Sequence, residues 1–285
     1  MQIAKVCRGS GSGLVRIDPA QGLAYSLDLG RRPGIATLSD ILHSPNPAEL
    51  VKELTVPGVT AEPAASLEYL APVDRQEIWA AGVTYKRSKV AREEESAGAA
   101  QFYDKVYTAP RPELFLKAVA ERVVHPGKPI RVRRDATWNV PEPELALVIA
   151  PDLRIVGYTV GNDVSSRDIE GENPLYLPQA KVYDGSCAIG PVITLAPMPL
   201  GDQATIRLVI VRNGQVAFDG TTSQAEMART PESLVQWLGR ENTFPHGALL
   251  LTGTGIVPPD AFSLSSGDRV EITIAGIGTL VNPVA

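Results

Sequence analysis

The chain has 285 residues, 44% of them hydrophobic, which is enough for one large domain or for one domain with a smaller companion. A net charge of −5 with no basic block excludes a phosphate-tracking nucleic-acid binder and argues against anionic membrane surfaces. No apolar run approaches the ~20 residues of a membrane span, the N-terminus lacks a secretory apolar stretch, and two cysteines are too few for a disulfide framework, so a cytoplasmic setting is expected.

Frequent proline and glycine cut the chain into short elements and favour strands over long helices. Residues 1–72 read as a small α+β domain. Within it Asn46 caps a helix that Pro47 opens, Glu49 follows three residues after the cap, and Leu50, Val51 and Leu54 form the apolar face. Residues 73–285 read as a second, strand-rich catalytic domain. Ile78 to Val83 is an apolar strand feeding a polar stretch, residues 85–105, that is either a solvated helix or a mobile lid. Leu145 to Ile149 and Ile155 to Val160 are two further apolar strands. Ile206 to Val211 and Gln215 to Phe218 flank Asn213-Gly214, a strong hairpin signal. Thr230 caps a helix opened by Pro231, with Leu234, Trp237 and Leu238 on its buried face and Gly239 at its end. Val270, Ile272 and Ile274 alternate with polar neighbours, as in a half-buried strand.

The chemistry concentrates in Pro141-Glu142-Pro143-Glu144. Strand alternation points Glu142 and Glu144 to one side. A two-residue loop at Asp152-Leu153 puts position 163 opposite position 142, and position 163 is Asp. Three carboxylates then converge, either as scattered acids on a solvated hairpin face or, since their mutual repulsion calls for a hard cation, as a site for magnesium, calcium or manganese. Downstream, Asn173 to Gly185 reads as a loop entering a strand, with Lys181 among apolar neighbours. Near a metal that lysine could hold a carboxylate, stabilise an enolate or move a proton. In Leu251-Thr252-Gly253-Thr254 the glycine allows close approach to a ligand, and Thr254 could bond a carboxylate.

These residues, together with Phe115-Leu116-Lys117, Asn162-Asp163-Val164-Ser165-Ser166-Arg167-Asp168 and Lys181, resemble the fumarylacetoacetate hydrolase family from about Ile78 onward. The resemblance implies a mixed β-sandwich roll, a homodimer or homotetramer, and a metal site of Glu142, Glu144 and Asp163. Many family hydrolases carry an Asn-Tyr-x-x-His-x-x-Glu segment that activates water. Here Ser88 stands for the His and Ala91 for the Glu. The Glu172 to Gln179 run and the Ile277-Gly278-Thr279-Leu280 tail are instead similar to a dehydratase branch. That branch turns a 2-keto-3-deoxy pentonate into 2,5-dioxopentanoate through an enolate at the metal. On that likeness Lys181 and Glu113 are the catalytic candidates, and Arg87, Ser88 and Thr254 the substrate-binding ones. The same scaffold also accommodates an acylpyruvate hydrolase, a decarboxylase, an isomerase or a non-catalytic sugar-acid sensor.

Overall fold

The computed structural model describes residues 1–86, 106–198 and 201–285, with Asp202 described by its backbone alone. The N-terminal part supplies β1 (Gln2–Arg8), β2 (Gly11–Asp18), β3 (Leu23–Ser26), α1 (Leu38–Leu42), α2 (Pro47–Leu54), β4 (Glu62–Pro63) and β5 (Tyr69–Leu70). Then follow β6 (Glu77–Gly82), β7 (Glu113–Val119), β8 (Asn139–Val140), β9 (Pro143–Ile149), β10 (Ile155–Asp163) and β11 (Ser165–Ser166). Helices α3 (Arg167–Glu172) and α4 (Leu177–Lys181) lead into β12 (Cys187–Leu195), β13 (Thr205–Arg212) and β14 (Gln215–Ser223). Helix α5 (Pro231–Leu238) precedes β15 (Ala248–Leu251), β16 (Arg269–Ile274) and β17 (Gly278–Pro283).

Eleven strands form one mixed sheet in the order β4-β3-β2-β1-β12-β10-β9-β15-β6-β7, with β5 also on β1. Strands β15 and β6 run parallel. A second sheet of four strands, β14-β13-β16-β17, packs against it. Leu145, Leu147 and Val160 of the large sheet share a core with Ile206, Leu208, Ile210, Val270, Ile272 and Ile274 of the small one. Burial of these alternating side chains is what joins the two sheets. The strand-rich sandwich expected from the sequence is thus the fold observed. Helices α1 and α2 cover the far side of the large sheet, where Ile41, Val51 and Leu54 pack on Ile3, Val148 and Ile193. No helix among the described residues is long and apolar enough to cross a membrane.

Local signals are met closely. Asn46 accepts from the Glu49 N–H, and Pro47 opens α2. Asn213 and Gly214 take φ of 52° and 77°, the left-handed pair that a tight hairpin needs, and Arg212 faces Gln215. Thr230 caps α5 by accepting from the Ser233 N–H. Losing that acceptor in Thr230→Ala should cost about 1 kcal/mol, read as a lower denaturant midpoint at unchanged slope.

Three local expectations are corrected. In α5 the third buried position belongs to Val235, whereas Trp237 is half-buried beneath the Arg240 guanidinium, 3.5 Å from its ring centroid. Lys181 lies at the end of helix α4, not in a loop, because Pro178 falls in a first turn that needs no proline N–H. The turn between β9 and β10 spans three residues, not two. Ala150 donates to the Arg154 carbonyl and Leu153 takes φ 65°. Ile155 then faces Ile149, one residue off the expected register, and a bulge between Ile155 and Gly157 absorbs the difference. Beyond the bulge Gly161 faces Glu144 and Asn162 faces Pro143, the register expected from the sequence.

Candidate metal centre

The site sits at one end of the large sheet, where β9 begins, β10, β15 and β6 end, and β7 begins. Glu142 immediately precedes β9 and Glu144 lies within it. Asp163 closes β10 and donates its N–H to the Glu142 carbonyl at 3.0 Å. The pairing that the bulge restores brings all three carboxylates to one face. One oxygen from each lies within 4.8 Å of the others, and none of the three residues is more than 4% exposed.

Buried carboxylates at this spacing repel one another, and the protein offsets that unevenly. The Lys181 ammonium lies 2.9 Å from Glu142 Oε2 and 3.2 Å from Asp163 Oδ2, and donates to Ser165 Oγ at 2.6 Å. Arg167 reaches Glu142 Oε1 at 3.1 Å. Lys117, fully buried on β7, lies 2.5 Å from Asp163 Oδ1 and donates to the carbonyls of Val164 and Lys181. Glu144 accepts from the Gly253 N–H at 2.5 Å, a weaker compensation than an ammonium gives. Burial, followed by repulsion from Asp163 and Glu142, pushes its carboxyl well above the usual carboxylate range. An all-oxygen donor set that is short of positive charge at Glu144 fits a hard divalent cation such as magnesium, manganese or calcium.

Beside the triad lies a narrow cleft bordered by Val83, Glu113, Phe115, Glu170, Lys181 and Thr254. Val83 has φ 52°, an uncommon conformation for a β-branched residue, costing on the order of 1–3 kcal/mol.

The structure therefore brings Glu142, Glu144, Asp163, Lys181, Glu113 and Thr254 together. The Thr254 hydroxyl is engaged locally, accepting from the Ile256 N–H at 3.2 Å. Arg87 and Ser88, and the stretch 85–105 apart from Tyr85 and Lys86, lie outside the described residues. Lys117, Ser165 and Arg167, which the sequence marks only as part of the family resemblance, and Glu170 also belong to the site. The signal was there for Lys117, a lone cation that directly follows the apolar run Leu114-Phe115-Leu116 and precedes Ala118-Val119.

Comparison with known proteins agrees with this geometry. The family model described as fumarylacetoacetate (FAA) hydrolase C-terminal matches residues 77–285. A probable 2-keto-3-deoxyxylonate dehydratase of Haloferax volcanii is 55% identical over 75% of this chain and 73% of its own length. The 2-dehydro-3-deoxy-D-arabinonate dehydratase of Saccharolobus solfataricus is 46% identical over the same shares of the two chains. A solved structure of 2-keto-3-deoxy-D-arabinonate dehydratase complexed with magnesium and 2,5-dioxopentanoate superposes with a TM-score of 0.85, at 36% identity, over 100% of this chain and 98% of that one. With two glutamates and an aspartate converging as the resemblance implies, and with these matches, the chain belongs to the fumarylacetoacetate hydrolase family.

Proposed function

We propose that this chain is a magnesium-dependent hydro-lyase that converts 2-dehydro-3-deoxy-D-arabinonate to 2,5-dioxopentanoate. One observation carries the reading: the buried triad and Lys181 share a cleft in a chain that matches, over its whole length, a relative holding magnesium and that product. The two names given to the relatives point to one molecule. Oxidation at C2 and loss of the C3 hydroxyl leave C4 as the only stereocentre, and D-xylonate and D-arabinonate share it.

A divalent cation held by Glu142, Glu144 and Asp163 would engage the substrate carboxylate and 2-oxo oxygen and make the C3 protons more acidic. Lys181, already beside two of those carboxylates, presents an ammonium where negative charge develops on the C2 oxygen. Glu113, across the cleft, is the acid or base that meets the rest of the carbon chain. Thr254 and, outside the described residues, Arg87 and Ser88 bind substrate. Val83, with its strained backbone, also lines the cleft. Residues 73–285 form the catalytic unit and 1–72 its companion, a reading supported by a family match that begins at residue 77. The protein works in the cytoplasm as a homodimer or homotetramer.

Incubation of the pure protein and magnesium with D- and L-2-keto-3-deoxy pentonates, followed by NMR, tests this reading. The D-form should yield 2,5-dioxopentanoate and the L-form should persist. Absence of that product from both would overturn the assignment.

A further inference from the structure

The end of the large sheet carries a row of residues on one face. Glu113 on β7 faces Gly82 on β6. Leu251 on β15 faces both Ala80 on β6 and Ala146 on β9, so two residues on, Gly253 stands level with Gly82 and Glu144. Glu113 and Glu144 are thus the carboxylates at the two ends of a row whose middle is glycine. Their backbones are separated by three strand spacings, about 14 Å.

The side chain of Glu113 does not stand upright over its own strand. A Cβ built on Gly82 would fall 1.9 Å from Glu113 Oε2 and 2.6 Å from its carboxyl carbon. The carboxylate therefore occupies the place of the missing Gly82 side chain and leans across β6 toward the triad. That leaves about two strand spacings, roughly 10 Å, between it and the backbone of Glu144. Lys181 touches two triad carboxylates directly and so serves the near end of a bound chain. Glu113 faces the far end.

We propose that Gly82 is a positioning residue: by lacking a side chain it lets the Glu113 carboxylate lie over β6, facing C4 and C5 of a substrate whose 2-oxo acid end is at the triad. This rests on the dehydratase reading above, and the chemistry asks for such a group. Loss of a C3 proton and of the C4 hydroxyl as water leaves a C3=C4 double bond conjugated with the 2-oxo group. The product still needs C5 to become an aldehyde. Glu113 takes a C5 proton. The C5–H pair forms C4=C5, the C3=C4 pair moves to C2=C3, and the charge rests on the C2 oxygen. C3 is protonated from the near end of the site as the C2 carbonyl re-forms, and Glu113 keeps its proton for C4. The C5 hydroxyl proton then leaves as C4 gains one, giving the aldehyde. No oxidant or reductant enters.

The test compares wild type, Gly82→Ala, Glu113→Gln, Glu113→Asp and the Gly82→Ala/Glu113→Gln double variant. Three quantities are read: formation of 2,5-dioxopentanoate, Mn²⁺ affinity, and solvent-deuterium exchange into the methyl group of pyruvate. Pyruvate has a C3 but no C4 or C5, so its exchange reports the near end alone. Gly82→Ala and Glu113→Gln should each lose about 100-fold or more in product formation, the scale of a positioned acid or base, with Mn²⁺ affinity and pyruvate exchange kept within about threefold. The double variant should be no worse than Glu113→Gln. Glu113→Asp keeps the charge and the Gly82 space but is one methylene too short, and should fail in the same selective way. Normal product formation by Gly82→Ala or by Glu113→Asp would overturn the proposal, as would loss of pyruvate exchange along with dehydration. So would additive losses in the double variant. A wild-type protein that makes no 2,5-dioxopentanoate would overturn the functional reading itself, and this proposal with it.

Discussion

Glu144→Gln should leave the metal-free protein at least as stable as wild type, while removing the rise in melting temperature that magnesium or manganese confers. Turnover should fall by about 100-fold or more, beyond what loss of an outer partner of a metal ligand costs. The reason is the uneven charge balance of the triad. Glu144 is buried, is repelled by Asp163 and Glu142, and is held by the Gly253 N–H. A neutral amide of the same shape removes the repulsion and one metal ligand together. Glu142→Gln behaves differently. It takes the anion from Lys181 and Arg167, both buried, and breaking such pairs costs about 3–5 kcal/mol. From sequence alone the two glutamates are interchangeable, and Glu142→Gln is the natural first experiment. The structure makes Glu144→Gln the cleaner one. Melting curves with and without metal on both variants check this. Wild-type turnover by chelator-treated Glu144→Gln would remove the triad from the reaction.

The sequence was most legible where structure is set locally. The caps at Asn46 and Thr230 and the Asn213-Gly214 turn depend on residues within one turn of each other, and each formed as read. The order of strands in the large sheet was not legible. Strand β15 lies between β9 and β6, and β1 lies beside β12, although these partners are far apart along the chain. Nothing in a short apolar run says which distant run it will join, because any of them presents a similar pleated surface.

The triad stands between these cases. Its pairing follows from a single hairpin, so a register argument could reach it, although the turn it assumed was one residue too short. The bulge at Ile155 to Gly157 cancelled the error. Hydrophobic burial supplies the restoring force, since a slip by one residue would turn the strand's apolar face away from the core. What the pattern could not give was the cationic frame. Lys117, Arg167 and Lys181 come from a strand and two helices well separated in sequence, and a lysine or arginine read in isolation is ordinarily solvated. Only packing shows that all three are buried, where the charges of each depend on the others.

Lys181→Met tests that mutual dependence. Turnover should drop by about 10²- to 10⁴-fold, the range for a positioned proton-transfer group, with Mn²⁺ affinity no weaker than in wild type. The ammonium lies between Glu142 and Asp163, so in the metal-free protein it competes with a cation for the same oxygens. Removing it frees those oxygens for the metal. It also strips two buried carboxylates of a neutralising partner, so the metal-free variant should melt lower and gain more from added metal than wild type does. A side chain that merely filled space would not link these effects: its loss would lower stability with and without metal alike. Catalysis lost, metal affinity kept and a larger metal-induced stabilisation together identify a lysine that serves both the empty site and the reacting one. Unchanged turnover would remove Lys181 from the chemistry and leave it the structural role alone.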